Sequence, residues 1–83
     1  MQLLRFVYIL ESIAVPGRHY VGLTSDVPER VKAHNAGKSG HTVRDRPWRL
    51  LASVEFTNPD SAARFERYLK SGSGRPFAKR HVV

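Results

Sequence analysis

The chain has 83 residues, with 14 Lys and Arg against 7 Asp and Glu, a formal net charge of +7 and no cysteine. That length suits one domain spanning residues 1–83, a size that buries only roughly 60–65% of the surface an unfolded chain exposes. The lack of Cys excludes disulfides and a thiolate zinc site and is compatible with a reducing cytoplasm; no leader pattern opens the chain, and its longest apolar run, Phe6 to Leu10, is far too short for a membrane span. The expectation is a cytoplasmic protein with no membrane partner.

Residues 3–11 are rich in Val, Ile, Phe and Tyr and read as a strand. Pro16-Gly17 marks a turn, and residues 18–23 read as a second strand, so the pair reads as an antiparallel hairpin with Tyr8 and Tyr20 about equally far from the turn, close across the ladder in some registers and not in others. A helix is predicted to begin at Asp26, with Glu29 completing a capping-box pair and Gly37 as its stop. Residues 38–48 form a basic loop, residues 49–57 a third strand, and Asn58 with Pro59 opens a second helix that ends at Gly72. Ser73 to Val83 reads as a short basic tail. The order is β-β-α-β-α, an α/β (α+β) domain.

The first helix places Val27, Arg30, Val31 and His34 on the stripe that a surface helix turns inward, and the second does the same with Ala62, Phe65, Glu66 and Leu69. Charged groups on such a stripe must pair, bind a ligand or lie at the rim. One reading is structural: an Arg30–Glu66 ion pair, with His34 hydrogen-bonded at the edge and the tyrosines in the core. The other is a cleft, in which Glu66 holds a divalent metal, Arg30 neutralises a phosphoryl group, and a tyrosine or His34 handles a proton of the attacking water. Ten of the 14 cations are Arg, whose planar fork suits phosphate. A small basic domain points to nucleic acid before an anionic membrane. Thr24 at the start of the first helix, Lys38, Arg44 and Arg46 in the basic loop, and Lys70 and Arg75 near the C-terminal end are candidate nucleic-acid contacts, with helix capping and solubility as the competing readings.

Val7-Tyr8-Ile9, Tyr20-Val21-Gly22, Arg30, His34 and a later Glu66, taken in that order, resemble the GIY-YIG nuclease superfamily, and more narrowly its small standalone bacterial members. Arg46-Pro47-Trp48 and Leu69-Lys70-Ser71-Gly72-Ser73-Gly74-Arg75-Pro76-Phe77 match the same subgroup. Phe6 stands where the first motif has Gly, Leu23 where some members have Lys, and Phe77-Ala78-Lys79 where many have Asn. The resemblance implies a three-stranded antiparallel sheet flanked by helices and metal-dependent hydrolysis of DNA, with RNA as the alternative. It implies one Mg²⁺ or Mn²⁺ on Glu66, Arg30 as the phosphate contact, Tyr8 and Tyr20 as the signature tyrosines with one of them the base or water-positioner, and His34 at a position of His or Tyr. The function expected is a structure-specific or nicking DNA endonuclease with a role such as DNA repair, which a protein partner or dimerisation would direct. The alternative is a catalytically weak or inactive nucleic-acid-binding module of the same fold.

Overall fold

A computed structural model of the chain describes residues 3–72 and 74–81, with backbone alone at 75, 77, 78 and 81. Strand β1 is Phe6–Ser12, β2 is His19–Thr24, α1 is Val27–Asn35, β3 is Trp48–Glu55, α2 is Pro59–Lys70 and α3 is Gly74–His81, with a short 3₁₀ turn at Val43–Asp45. The strands form one antiparallel sheet in the order β2-β1-β3. Among the described residues, no helix is long and apolar enough to cross a membrane.

The central position of β1 explains its unbroken apolar run. Val7, Tyr8, Ile9 and Leu10 are all buried because both faces of the sheet are covered, and a strand buried on both faces loses the usual polar alternation. Val7 and Ile9 pack with Ala62 and Leu69 of α2, while Tyr8 and Leu10 pack with Val27 of α1 and with Trp48. Helices α1 and α2 therefore lie on opposite faces. Both inward stripes meet the sheet as the sequence suggests, α1 on the face of Tyr8 and α2 on the other.

Local chemistry sets the element ends. Asp26 caps α1 by accepting the Glu29 N–H at 3.1 Å. The reciprocal bond expected from the Glu29 side chain is made by Thr24 instead, whose Oγ1 accepts the Asp26 N–H at 3.1 Å. Gly37 follows α1 at φ +80° and Gly17 turns the hairpin at φ +93°, a region that glycine enters without a Cβ clash. Asn58 caps α2, its Oδ1 accepting the Asp60 N–H at 2.7 Å.

Within the tail, the described residues Gly74–His81 form helix α3, which corrects the reading of a short basic extension; Ser73, Val82 and Val83 lie outside the described residues. Pro76 falls in the first turn of α3, where its missing N–H is not needed. Gly74 N–H donates to Ser71 Oγ at 3.1 Å. A Cβ on Gly74 would stand 1.7 Å from the Tyr68 carbonyl oxygen, so glycine is what lets α3 start hard against the end of α2.

Candidate active site

The site begins with a side chain that is not there. In the β1–β2 register Tyr8 lies opposite Gly22, and Leu10 opposite Tyr20. A Cβ on Gly22 would sit 2.4 Å from both Cζ and the hydroxyl oxygen of Tyr8. The phenol thus lies flat across the β2 backbone, and only glycine leaves room for it. The close approach at Gly22 is therefore to Tyr8, the residue opposite it in the register. The two tyrosines are diagonal neighbours on one face, with ring centroids 6.2 Å apart.

Helix α1 brings His34 onto this face. His34 is 0% exposed and Tyr8 1%. The Tyr8 hydroxyl lies 2.8 Å from His34 Nε2, and the Tyr20 ring meets the imidazole edge-on at 4.9 Å between centroids. Burial, and after it the Arg30 charge, hold the imidazole below the usual histidine value, so near neutrality it is uncharged with one bare ring nitrogen. Burial pushes the Tyr8 phenol above its ordinary value, while the Arg30 guanidinium beside it pulls the other way and loses. Tyr8 is therefore a protonated phenol at rest, in contact with a neutral histidine.

Glu66 stands on α2, which covers the other face of the sheet. Helix α2 packs against β2 and β1, and β2 is an edge strand, so a long side chain on α2 is within reach of Tyr20 on that strand. Lys70, one helical turn after Glu66, makes a 2.5 Å ion pair with the carboxylate, and its ammonium stands 5.9 Å from the centre of the Tyr20 ring. The Glu66 charge is felt at Tyr8, where it disfavours the phenolate. The structural reading of an Arg30–Glu66 pair gives way to two separate contacts: Arg30 faces Tyr8, and Glu66 holds Lys70.

No group of three or more His, Asp or Glu able to hold a metal occurs among the described residues. Glu66 alone suits a cation that brings its other ligands with it. Mg²⁺ usually keeps several waters and is bound through one or two carboxylates and substrate phosphates. The carboxylate already carries a cationic group, Lys70, so the site tolerates positive charge at that point.

The remaining candidates fall out unevenly. Lys38 and Arg44 are exposed in the loop after α1, and Arg46 is exposed with its Nε–H donating to the Val43 carbonyl at 3.0 Å. Thr24 is 7% exposed and its hydroxyl is spent in the turn before α1, so it offers a phosphate no surface. Lys70 is committed to Glu66. The Arg75 side chain lies outside the described residues. Leu23 packs with the core on the α2 side of the sheet.

Sequence reasoning missed Thr42 and Asn35. Thr42 is 1% exposed, with Oγ1 2.7 Å from His34 Nδ1. Asn35 holds Trp48 by both backbone groups: it accepts the Trp48 N–H at 2.6 Å and donates to its carbonyl at 3.0 Å. Trp48 is 4% exposed and donates its indole N–H to the Thr42 carbonyl at 2.8 Å. The one available signal was the pairing of a polar His-Asn at the end of α1 with a polar Thr in a loop that must return to the sheet.

Comparison with known proteins gives a consistent result. The model of the GIY-YIG catalytic domain matches residues 5–80. UPF0213 protein BH0048 of Halalkalibacterium halodurans is 41% identical over 71 residues, which are 84% of this chain and 73% of that protein. The structure-specific endonuclease subunit SLX1 of Scheffersomyces stipitis is 42% identical over 67 residues, 72% of this chain but 20% of that longer protein. The solution NMR structure of UPF0213 protein BH0048 from Bacillus halodurans superposes with a TM-score of 0.54 at 38% identity, covering 90% of this chain and 79% of that one.

Proposed function

The chain belongs to the GIY-YIG catalytic-domain family, and on that premise we propose that it is an endonuclease that hydrolyses DNA phosphodiester bonds with the help of one divalent metal, Mg²⁺ or Mn²⁺. The observation that carries this reading is the meeting of Tyr8, Tyr20, Arg30, His34 and Glu66 at one edge of the sheet, although they come from four separate elements.

Each group has a task that its surroundings support. As Tyr8 takes a proton from the attacking water, its own hydroxyl proton passes to His34 Nε2, 2.8 Å away. The phenolate then never accumulates, which matters because burial keeps the phenol pKa high. This proton route stands in for the Lys that some relatives carry where Leu23 is. The Arg30 guanidinium neutralises charge on the phosphoryl oxygens, a role that draws its strength from a partly dry setting. Tyr20, half-buried and edge-on to His34, holds the imidazole and the approaching phosphate in register. Glu66 would hold the metal, which supplies a Lewis acid and a clamp on substrate oxygens when bound; Lys70 must leave the carboxylate first. The departing sugar oxygen takes its proton from solvent.

A second reading, nucleic-acid binding without cleavage, draws on two observations: the phenol is closed over, and Glu66 is neutralised by Lys70. Substrate selection on so small a domain would fall to a partner protein or a second copy. That SLX1 is a subunit of a structure-specific endonuclease is in keeping with that.

The test is cleavage of plasmid, flap and branched DNA, with RNA counterparts, in Mg²⁺, Mn²⁺ or chelator. The parent should nick DNA only with metal. Glu66→Ala and Arg30→Ala should each lose on the order of 10²–10³ in rate, the scale at which removing one stabilising group is felt. A Glu66→Ala protein that nicks as fast as the parent sinks the mechanism, and a parent that binds DNA without cleaving it leaves the second reading.

A further inference from the structure

The hydrogen-bond route at His34 does not end on its ring. Nδ1 faces Thr42 Oγ1 at 2.7 Å, and that hydroxyl in turn donates to the Ser39 carbonyl at 3.3 Å. A carbonyl can only accept, and a hydroxyl has one proton to give. With the Thr42 proton directed to Ser39, the Thr42 oxygen accepts from the ring, which puts the imidazole proton on Nδ1 and leaves Nε2 bare toward the Tyr8 hydroxyl. We propose that Thr42 is a positioning residue that fixes the tautomer of His34 so that Nε2 is always ready to accept the Tyr8 proton.

The contact is built rather than incidental. Thr42 sits eight residues beyond His34 in a loop, and four further bonds hold that loop in place. Asn35, the residue beside His34, clamps the Trp48 backbone. The Trp48 indole N–H holds the Thr42 carbonyl. The Thr42 N–H donates to the same Ser39 carbonyl at 3.1 Å. The circuit from His34 through Asn35, Trp48 and Thr42 closes back on His34, and Thr42 and His34 are both sealed from water. Solvent therefore cannot act as the lock. Without the threonine oxygen, an Nδ1 proton would be left unpaired in the interior, a cost that drives the proton to the other nitrogen. Nε2–H would then donate to the Tyr8 oxygen, and the phenol proton would have no acceptor. Which ring nitrogen carries the proton is set by the bond the other one makes.

The consequence for cleavage rests on the nuclease reading, but the tautomer does not, and the two are tested separately. Nitrogen-15 spectra of histidine-labelled protein above pH 7.5 report which ring nitrogen of His34 is protonated. The parent should show Nδ1–H. Thr42→Val should move the population to Nε2–H, and Thr42→Ser should restore it. In the cleavage assay Thr42→Val should lower kcat about 10–100-fold, the usual scale for losing an orienting partner, with little change in KM, and Thr42→Ser should recover most of the rate. A parent with Nε2–H overturns the proposal from the unsubstituted protein alone, whatever the stability of the variants. So does a Thr42→Val protein with the parental tautomer or the parental kcat. If the parent shows Nδ1–H but does not cleave, the nuclease reading fails and the tautomer result across Thr42→Val and Thr42→Ser decides the role of Thr42 by itself.

Discussion

Gly22 and Tyr8 act as a pair, since the phenol occupies the space a side chain on Gly22 would fill. Gly22→Ala puts a Cβ 2.4 Å from Tyr8 Cζ and the hydroxyl oxygen, and Tyr8, packed among Leu10, Val27 and Trp48, has nowhere to retreat. Overpacking of this kind costs about 1–3 kcal/mol, or roughly 4–8 °C in Tm per kcal/mol for a domain this small. Thermal melts should show that loss, and the displaced hydroxyl should lose its bond to His34. An unchanged Tm would mean that the ring moves freely. His34 has its own signature. Its folded pKa is lowered, first by burial and then by Arg30, while the unfolded histidine titrates near about 6.5. As pH falls, the unfolded chain takes up the proton first, so this contribution is complete above about pH 6.5 and is lost as the pH drops through the lower folded value. The parent's Tm should fall more steeply between pH 7.5 and 5 than that of His34→Gln; parallel curves would remove His34 from the account. At this scale the sequence was generous. Polar intruders on an apolar helix stripe marked Arg30, His34 and Glu66, because a helix phase fixes which side chains turn inward. Thr42 stayed hidden because its contact depends on the path of a loop, which no periodicity encodes.

Elements were legible where their ends carry chemistry. Asp26, Gly37 and Asn58 marked their helices correctly because caps and stops act through local bonds. Which face of the sheet each helix covers was not legible, since it depends on the crossover between elements. The sequence put Glu66 on the inward stripe of α2 but could not say that α2 covers the face opposite Tyr8, with the Glu66 charge still felt at the phenol. The tail was read as an extension for a related reason: its second glycine, Gly74, serves the start of a helix hard against the end of α2, a contact that depends on how the two helices meet. The cap of α2 gives a test at this scale. Asn58→Ala removes the Oδ1 that accepts the Asp60 N–H at 2.7 Å and the Ser61 N–H at 3.4 Å. The cost should be about 1 kcal/mol, within the 0.5–2 range for such caps, read as a fall in Tm. Cleavage at low temperature should be unaffected, because Glu66 lies two turns further along the helix. A selective loss of cleavage in a protein of parental Tm would show that the first turn of α2, rather than its stability, sets the carboxylate.

For the whole molecule, the net charge of +7 is a statement about partners, and the fold says how the charge is divided. The sheet separates two basic regions. One is the loop after α1, with Lys38, Arg44 and Arg46 exposed next to the buried His34; the other is α2 and α3, with Arg64, Arg67, Lys79 and Arg80 exposed. Cations that touch the DNA backbone release counterions, so log K falls with log[salt] by about 0.9 per phosphate neutralised on B-DNA. The loop lies on the tyrosine face and α2 covers the other, so a duplex engaged at Tyr20 and Arg30 meets the loop first. Arg46 is partly engaged within the loop, its Nε–H on the Val43 carbonyl, whereas the structure assigns Lys38 and Arg44 no such bond. Lys38→Ala and Arg44→Ala should therefore each reduce the salt slope of DNA binding by about 1 and leave kcat at saturating DNA within a factor of about two of the parent. Arg30→Ala should do the reverse, losing cleavage with little change in slope, because a guanidinium that acts on developing charge contributes to the transition state more than to ground-state binding. Arg64→Ala, on the far side of the sheet, is the control. If it lowers the slope as much as Arg44→Ala does, the duplex wraps the α2 face instead, and the path of the DNA over this domain runs from α2 round the β2 edge to Tyr20.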